Sequence, residues 1–166
     1  ALIREGICIV VSPLIALMQD QVNTLNAKGI KAMALTSGFS FEDIDRMLDN
    51  CIYGNYKFLY LSPERLQQDL VQQRIKQMNV NLIAVDEAHC ISQWGHDFRP
   101  AYRDIKSLRT LHPSVNVIGL TASATSKVIE DISEQLDCID PQIFKTSFRR
   151  ANLAYLSLEC EDKLFR

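Results

Sequence analysis

The 166-residue chain is 47% hydrophobic and 23% charged, which suits one globular domain with a core of its own. A formal net charge of -2 excludes a protein that holds nucleic acid through a global positive field, so any such contact must come from a local patch. Five cysteines, an odd number with no C-x-x-C pair, speak against a disulfide framework or a zinc knuckle and for reduced thiols, and no apolar run approaches the roughly 20 residues of a membrane span.

The chain starts at Ala1 rather than Met, shows no signal-peptide pattern, and is expected to be a trimmed piece of a longer protein. The first short apolar run is Ile7–Val11, ended by Ser12-Pro13. Serine is a good N-cap and proline is favoured at the first helical position, so this pair is expected to open a helix, with Leu14, Leu17, Met18, Val22 and Leu25 on one face. The second run, Ala32–Leu35, is followed by Ser37-Gly38 and by Ser40 and Asp43, a capping pair for the next helix. Phe58–Leu61 is the third run, closed by Ser62-Pro63 and followed by a stripe of Leu66, Leu70 and Met78. The fourth, Leu82–Val85, ends in Asp86-Glu87. The fifth, Val115–Leu120, ends in Thr121 and Ser123, and a last stripe holds Val128, Ile129, Ile132 and Leu136.

Runs apolar on both faces suit strands of a parallel sheet, and their alternation with helix-period stretches gives an open α/β sheet with right-handed crossovers. All the apolar stripes are read as core packing. The polar turns then share the carboxyl edge of the sheet, where open α/β folds bind ligands and helix N-termini favour phosphate. Each Ser-Pro pair alone is ordinary capping; five polar turns on one edge point to an anion-binding rim.

The segment Leu82-Ile-Ala-Val-Asp86-Glu87-Ala88-His89 carries the strongest chemistry. An apolar strand ending in two adjacent carboxylates is costly without a partner, and Mg²⁺, which takes one or two carboxylates together with water and substrate phosphates, is the obvious one. Asp86 would hold Mg²⁺ through water, Glu87 would orient and deprotonate an attacking water, and His89 would link the pair to whatever lies across the cleft. Next comes Cys90-Ile-Ser-Gln93-Trp94-Gly95-His96-Asp97-Phe98-Arg99-Pro100, with the only tryptophan. Two readings stay open here: Trp94 and Phe98 stack on single-stranded bases with Arg99 on phosphate or ring, or Trp94 is a buried anchor.

Asp86 to Pro100, DEAHCISQWGHDFRP, resembles motif II of the RecQ helicase family and the aromatic-rich loop that follows it. Val11-Ser-Pro-Leu-Ile-Ala-Leu-Met-Gln-Asp-Gln-Val22 resembles motif Ia, Ser62-Pro-Glu-Arg-Leu66 the next DNA-contact motif, Leu120-Thr-Ala-Ser-Ala-Thr125 motif III, and Phe148-Arg-Arg-Ala-Asn-Leu153 the entry to a second motor lobe. Two departures are Ala151, where the family usually has proline, and Ser123, where it often has threonine.

The resemblance implies a RecA-like open parallel sheet flanked by helices, incomplete at its N-terminus because no G-K-S/T phosphate loop occurs in the sequence. It divides the chain into residues 1–147, lobe one without that loop, and 148–166, the start of the connection to a second lobe expected downstream. It implies part of an ATP-dependent 3′-to-5′ DNA helicase of repair and recombination, using ATP and Mg²⁺ and acting on single-stranded and duplex DNA, with the piece itself inactive. Asp86, Glu87 and His89 would be catalytic. DNA contact and coupling would fall to Gln93, Trp94, His96, Phe98 and Arg99, to Ser12, Pro13, Ser37 and Ser62 on the rim, and to Thr121, Ser123 and Thr125. No zinc and no membrane are expected in this piece, and the place of work is the cytoplasm (at the nucleoid) in a bacterium or the nucleus in a eukaryote. A different class of reading is a non-catalytic DNA-binding or interaction module of the same fold. A third, an unrelated doubly wound protein with an acidic Mg²⁺ pocket, has no place for the Trp94 loop.

Overall fold

Each of the five apolar runs becomes a strand in a computed structural model, which describes residues 1–146 and 152–154: β1 (Ile7–Val11), β2 (Ala32–Leu35), β3 (Phe58–Leu61), β4 (Val80–Val85) and β5 (Val117–Gly119). Between them lie α1 (Ile15–Ala27), α2 (Phe41–Tyr53), α3 (Asp69–Gln77) and α4 (Lys106–Leu111), and α5 (Ser126–Gln135) follows β5. Short 3₁₀ turns occupy Pro63–Gln67, Ala88–Ile91 and Pro100–Ile105. The strands form one sheet in the order β2-β3-β1-β4-β5, every pairing parallel. The RecA-like open α/β sheet expected from the sequence is the fold. Among the described residues no helix is long and apolar enough to cross a membrane. The expected boundary at residue 148, and Phe148 to Ala151 of the motif leading to a second lobe, lie outside the described residues.

The two-residue period of the strands sorts their side chains between two cores of unequal size. Ile7, Ile9, Val11, Leu59, Leu61, Ile83 and Val85 join Leu48 of α2, and Val71 and Ile75 of α3, in the larger one. Each such side chain fully buried is worth roughly 1.5–3 kcal/mol, so most of the stability resides on this face. The opposite face holds Ala32, Ala34 and Tyr60 under Met18 and Val22 of α1. The expectation that all of the first stripe is core fails at Leu14 and Leu17, which are 44% and 37% exposed. Met18 and Val22 alone seat α1 deeply on β2 and β3, and no described element covers the rest of its apolar surface.

Among the described α-helices, α2 and α5 open on a side-chain cap. Ser40 caps α2 as expected: its hydroxyl accepts from the Asp43 N–H at 3.1 Å and donates to the Asp43 carboxylate at 2.8 Å. Arg74 of α3 ties that helix to α2 through Asp45 at 2.6 Å and Asp49 at 2.8 Å. Ser62 does stand before a turn with Pro63 in its first position, but makes no side-chain cap. Ser12 is not a cap at all, because α1 begins three residues later with Leu14 in the cap position. The chain enters β1 through Gly6 at φ +96°, where a Cβ would lie 2.2 Å from the Asn79 carbonyl oxygen.

Candidate active site and coupling loop

Register builds the site. Val11 of β1 pairs with Val85 of β4, and the Asp86 N–H donates to the Val11 carbonyl at 2.9 Å. Ser12 and Asp86 therefore leave the sheet side by side, and the Ser12 hydroxyl donates to Asp86 Oδ2 at 3.2 Å. Ser12 is 2% exposed and its hydroxyl faces the acid, so it positions Asp86. The same bond explains why it caps no helix. Asp86 is held from below as well: the fully buried Tyr102 donates from its hydroxyl to the Asp86 carbonyl at 3.0 Å. Burial, with Cys90 and Asp86 nearby, pushes the Tyr102 phenol far above its ordinary range, so it stays a proton donor.

At Glu87 the backbone turns left-handed, φ 47° and ψ 44°, a conformation that costs a non-glycine residue about 1–2 kcal/mol. Strain of this kind concentrates where surrounding structure fixes a functional geometry. The turn converts strand into the 3₁₀ segment Ala88–Ile91, and the Ala88 N–H donates to the Leu120 carbonyl at 2.9 Å. That bond brings the turn after β5 over the acidic pair. His89 is 5% exposed, and its Nδ1 lies 3.0 Å from Thr121 Oγ1 and 3.3 Å from Glu87 Oε2. A carboxylate can only accept, so Nδ1 carries a proton, and in the neutral imidazole Nε2 is the atom left with a lone pair. Thr121 Oγ1 also accepts from the Ser123 N–H at 3.3 Å. Glu87, His89, Thr121 and Ser123 thus form one chain of polar contacts across the ends of β4 and β5.

The loop after the 3₁₀ segment is fastened at its base, where the Arg99 N–H donates to the Cys90 carbonyl at 2.9 Å. Inside it, the His96 ring stacks on His89 with centroids 4.7 Å apart and planes 9° apart. Gly95 passes so close to the motif that a Cβ would lie 2.6 Å from the His89 carbonyl oxygen. Trp94 is 65% exposed, which removes the buried-anchor reading. Its ring carries the Lys127 ammonium of α5 at 3.2 Å from the centroid. Phe98 is half-buried beside the Arg103 guanidinium at 5.2 Å, Arg99 is 3.5 Å from Asp97, and Gln93 is exposed.

The structure thus brings Asp86, Glu87, His89, Ser12, Thr121, Ser123 and His96 together, with Trp94 exposed on the same loop as His96. Thr125 caps α5 by accepting from the Val128 N–H at 3.4 Å. Pro13 is half-buried between Ser12 and α1, and exposed Ser37 and half-buried Ser62 follow β2 and β3 along the same edge. Arg65 bridges that part of the rim, donating to the Thr36 carbonyl. Sequence reasoning missed Tyr102 and Lys127. Lys127 carries no local signal, whereas Tyr102 sits two residues past the Arg99-Pro100 pair, within reach of motif inspection.

The donors around Asp86 and Glu87 are hard oxygens, a set that fits Mg²⁺. Beside them the outer edge of β5 has no strand partner among the described residues. A groove of about 1040 Å³ runs there, lined by Ile118, Leu120, Thr121, Ile132 and Phe144 among others.

Residues 2–132 match a family model described as DEAD/DEAH box helicase. The chain is 44% identical over 164 residues to the ATP-dependent DNA helicase RecQ of Bacillus subtilis (strain 168), an alignment covering 98% of this chain and 28% of that protein. It is 46% identical over 147 residues to the mouse (Mus musculus) bifunctional 3'-5' exonuclease/ATP-dependent helicase WRN, covering 87% of this chain and 10% of that one. Its fold resembles the Pyrococcus furiosus Hef helicase domain at a TM-score of 0.60 and 24% identity, over 80% of this chain and 27% of the other. The chain spans 25–28% of the length of its bacterial RecQ relatives.

Proposed function

Because this chain belongs to the DEAD/DEAH box helicase family, with RecQ helicases among its similar relatives, we propose that it is most of the first motor lobe of an ATP-dependent DNA helicase. In the whole protein the open edge of β5 would receive the strand that delivers a phosphate loop, and a second lobe would face the Asp86 rim. Single-stranded DNA would run over the Trp94 loop, with duplex ahead of it and 3′-to-5′ travel. Without a phosphate loop the chain alone is inactive.

The observation that carries this reading is the His89 bridge. One imidazole touches the Glu87 carboxylate and the Thr121 hydroxyl, and stacks on a residue of the aromatic loop. A change at the loop or at the turn after β5 therefore reaches Glu87 through a single ring. Mg²⁺, held by Asp86 through water, would supply charge neutralisation at the nucleotide phosphates. Ser12 and Tyr102 fix Asp86 for that role. Glu87 orients the attacking water and accepts its proton, and His89 holds the Glu87 carboxylate in register with Thr121.

The test is Glu87→Gln in the longer protein that carries the phosphate loop. ATP turnover should fall by about 10²–10⁴-fold with nucleotide binding kept, since the amide keeps the shape and loses the base. Turnover within a few-fold of the parent would remove Glu87 from the role of general base. A parent protein that turns over no ATP at all would favour the non-catalytic DNA-binding module.

A further inference from the structure

Three side chains that no step above uses as a group converge beside the acidic motif. His89 Nε2, Cys90 Sγ and an Asp97 carboxylate oxygen all lie within 4.8 Å of one another. Cys90 Sγ is 3.8 Å from His89 Nε2 and 3.9 Å from Asp97 Oδ2. A tetrahedral ion with bonds of about 2.3 Å to sulfur and 2.0–2.2 Å to nitrogen and oxygen needs its ligand atoms roughly 3.3–3.6 Å apart. Sulfur and its two partners are thus a few tenths of an ångström from bonding positions, and Asp97, on the loop and 53% exposed at its side chain, would exchange its 3.5 Å contact with Arg99 for the ion as it closes the third side.

Against the expectation of no zinc in this piece, we propose that His89, Cys90 and Asp97 form a site for one thiophilic divalent cation of the Zn²⁺ class, distinct from the Mg²⁺ position at Asp86. The tautomer argument supplies the nitrogen: Nδ1 is committed to Glu87 and Thr121, the outer-shell arrangement that orients a metal-binding imidazole, and Nε2 points its lone pair at Cys90. The thiol selects against Mg²⁺ and Ca²⁺, which take oxygen ligands. Exposed Asp97 marks the way in, and a water completes the tetrahedron. Binding forms a metal–thiolate bond and releases the Cys90 proton to solvent. The occupied site joins the end of the acidic motif to the far limb of the loop, on either side of Trp94. That this tie would hold back coupling to DNA rests on the function proposed above; the existence of the site does not.

Co²⁺ and Zn²⁺ titrations of the 166-residue chain test the site itself. Co²⁺ should give a saturable thiolate charge-transfer band and tetrahedral visible bands at one ion per chain. Zn²⁺ should displace it and shift the emission of Trp94, the only tryptophan and a reporter seated inside the loop. Cys90→Ala should abolish the band, while a Cys138→Ala, Cys160→Ala double variant keeps it. Asp97→Asn, a change at an exposed position that leaves the core untouched, should weaken Co²⁺ binding on the order of tenfold or more. Absence of a thiolate band, its survival in Cys90→Ala, or unchanged affinity in Asp97→Asn would overturn the assignment. None of these readouts involves ATP or DNA, so they stand apart from the fate of the helicase reading.

Discussion

Trp94 shows how much one residue's surroundings decide. It is exposed, yet its ring is held from one side by Lys127, so it is a pre-positioned platform and not a loose side chain. A base stacking on it must share or displace that ammonium, and either event is felt at the start of α5, just after the turn that holds Thr121. Trp94→Ala in the longer protein should therefore lower DNA-stimulated ATPase far more than DNA affinity, since one lost stack is worth about 1–3 kcal/mol. Basal ATPase should hold, and so should folding stability, to within about 0.5 kcal/mol for an exposed side chain. ATPase rate against single-strand concentration, with binding followed by anisotropy, decides: full rate recovered at saturating DNA would make Trp94 a binding residue only. The carboxylates and the aromatic cluster were legible at this scale because they are contiguous in sequence. Lys127 was not, because it meets Trp94 only through tertiary folding, and Ser12 was misread because a serine after a strand is the same letter whether it caps a helix or bonds an acid 74 residues away.

Among the elements, the strands were the most legible. Short runs of buried β-branched and aliphatic residues mark them, since strands covered on both faces read as continuous apolar segments. The 3₁₀ turns were not, since a few residues of irregular chain carry no period. The loop from Cys90 to Arg99 owes its shape to Gly95, whose α-hydrogen faces the His89 carbonyl where any Cβ would collide. Gly95→Ala should push the loop off the motif and separate His96 from His89. The expected outcome is a shifted Trp94 emission and lost DNA stimulation, with the far-UV melting curve of the sheet nearly unchanged. An alanine variant with full stimulation would show that the stacked histidines carry no signal.

For the molecule as a whole, the sheet is sheathed unevenly. One face is a continuous core, while the other is covered, among the described residues, by α1 and leaves Leu14, Ile15, Ile118 and Leu120 exposed. An open strand edge beside exposed apolar residues templates association. The isolated chain should form dimers or larger species as concentration rises, and Ile118→Lys, a charge placed on that edge strand, should return it towards monomer. Light scattering across concentration measures this, and a parent chain that stays monomeric would show the edge to be harmless. That imbalance was foreseen only from the missing phosphate-loop motif; its location at β5 came from the strand order. The same order has a consequence for synthesis. β1 lies at the centre of the sheet, between β3 and β4, yet precedes both in the chain. At about 5–20 residues per second, Ile7–Val11 leaves the ribosome several seconds before its first neighbour, Phe58–Leu61, and longer still before Asp86 arrives to meet Ser12. The most buried strand of the finished protein is thus, for that interval, its most exposed hydrophobic segment and the natural target of a chaperone.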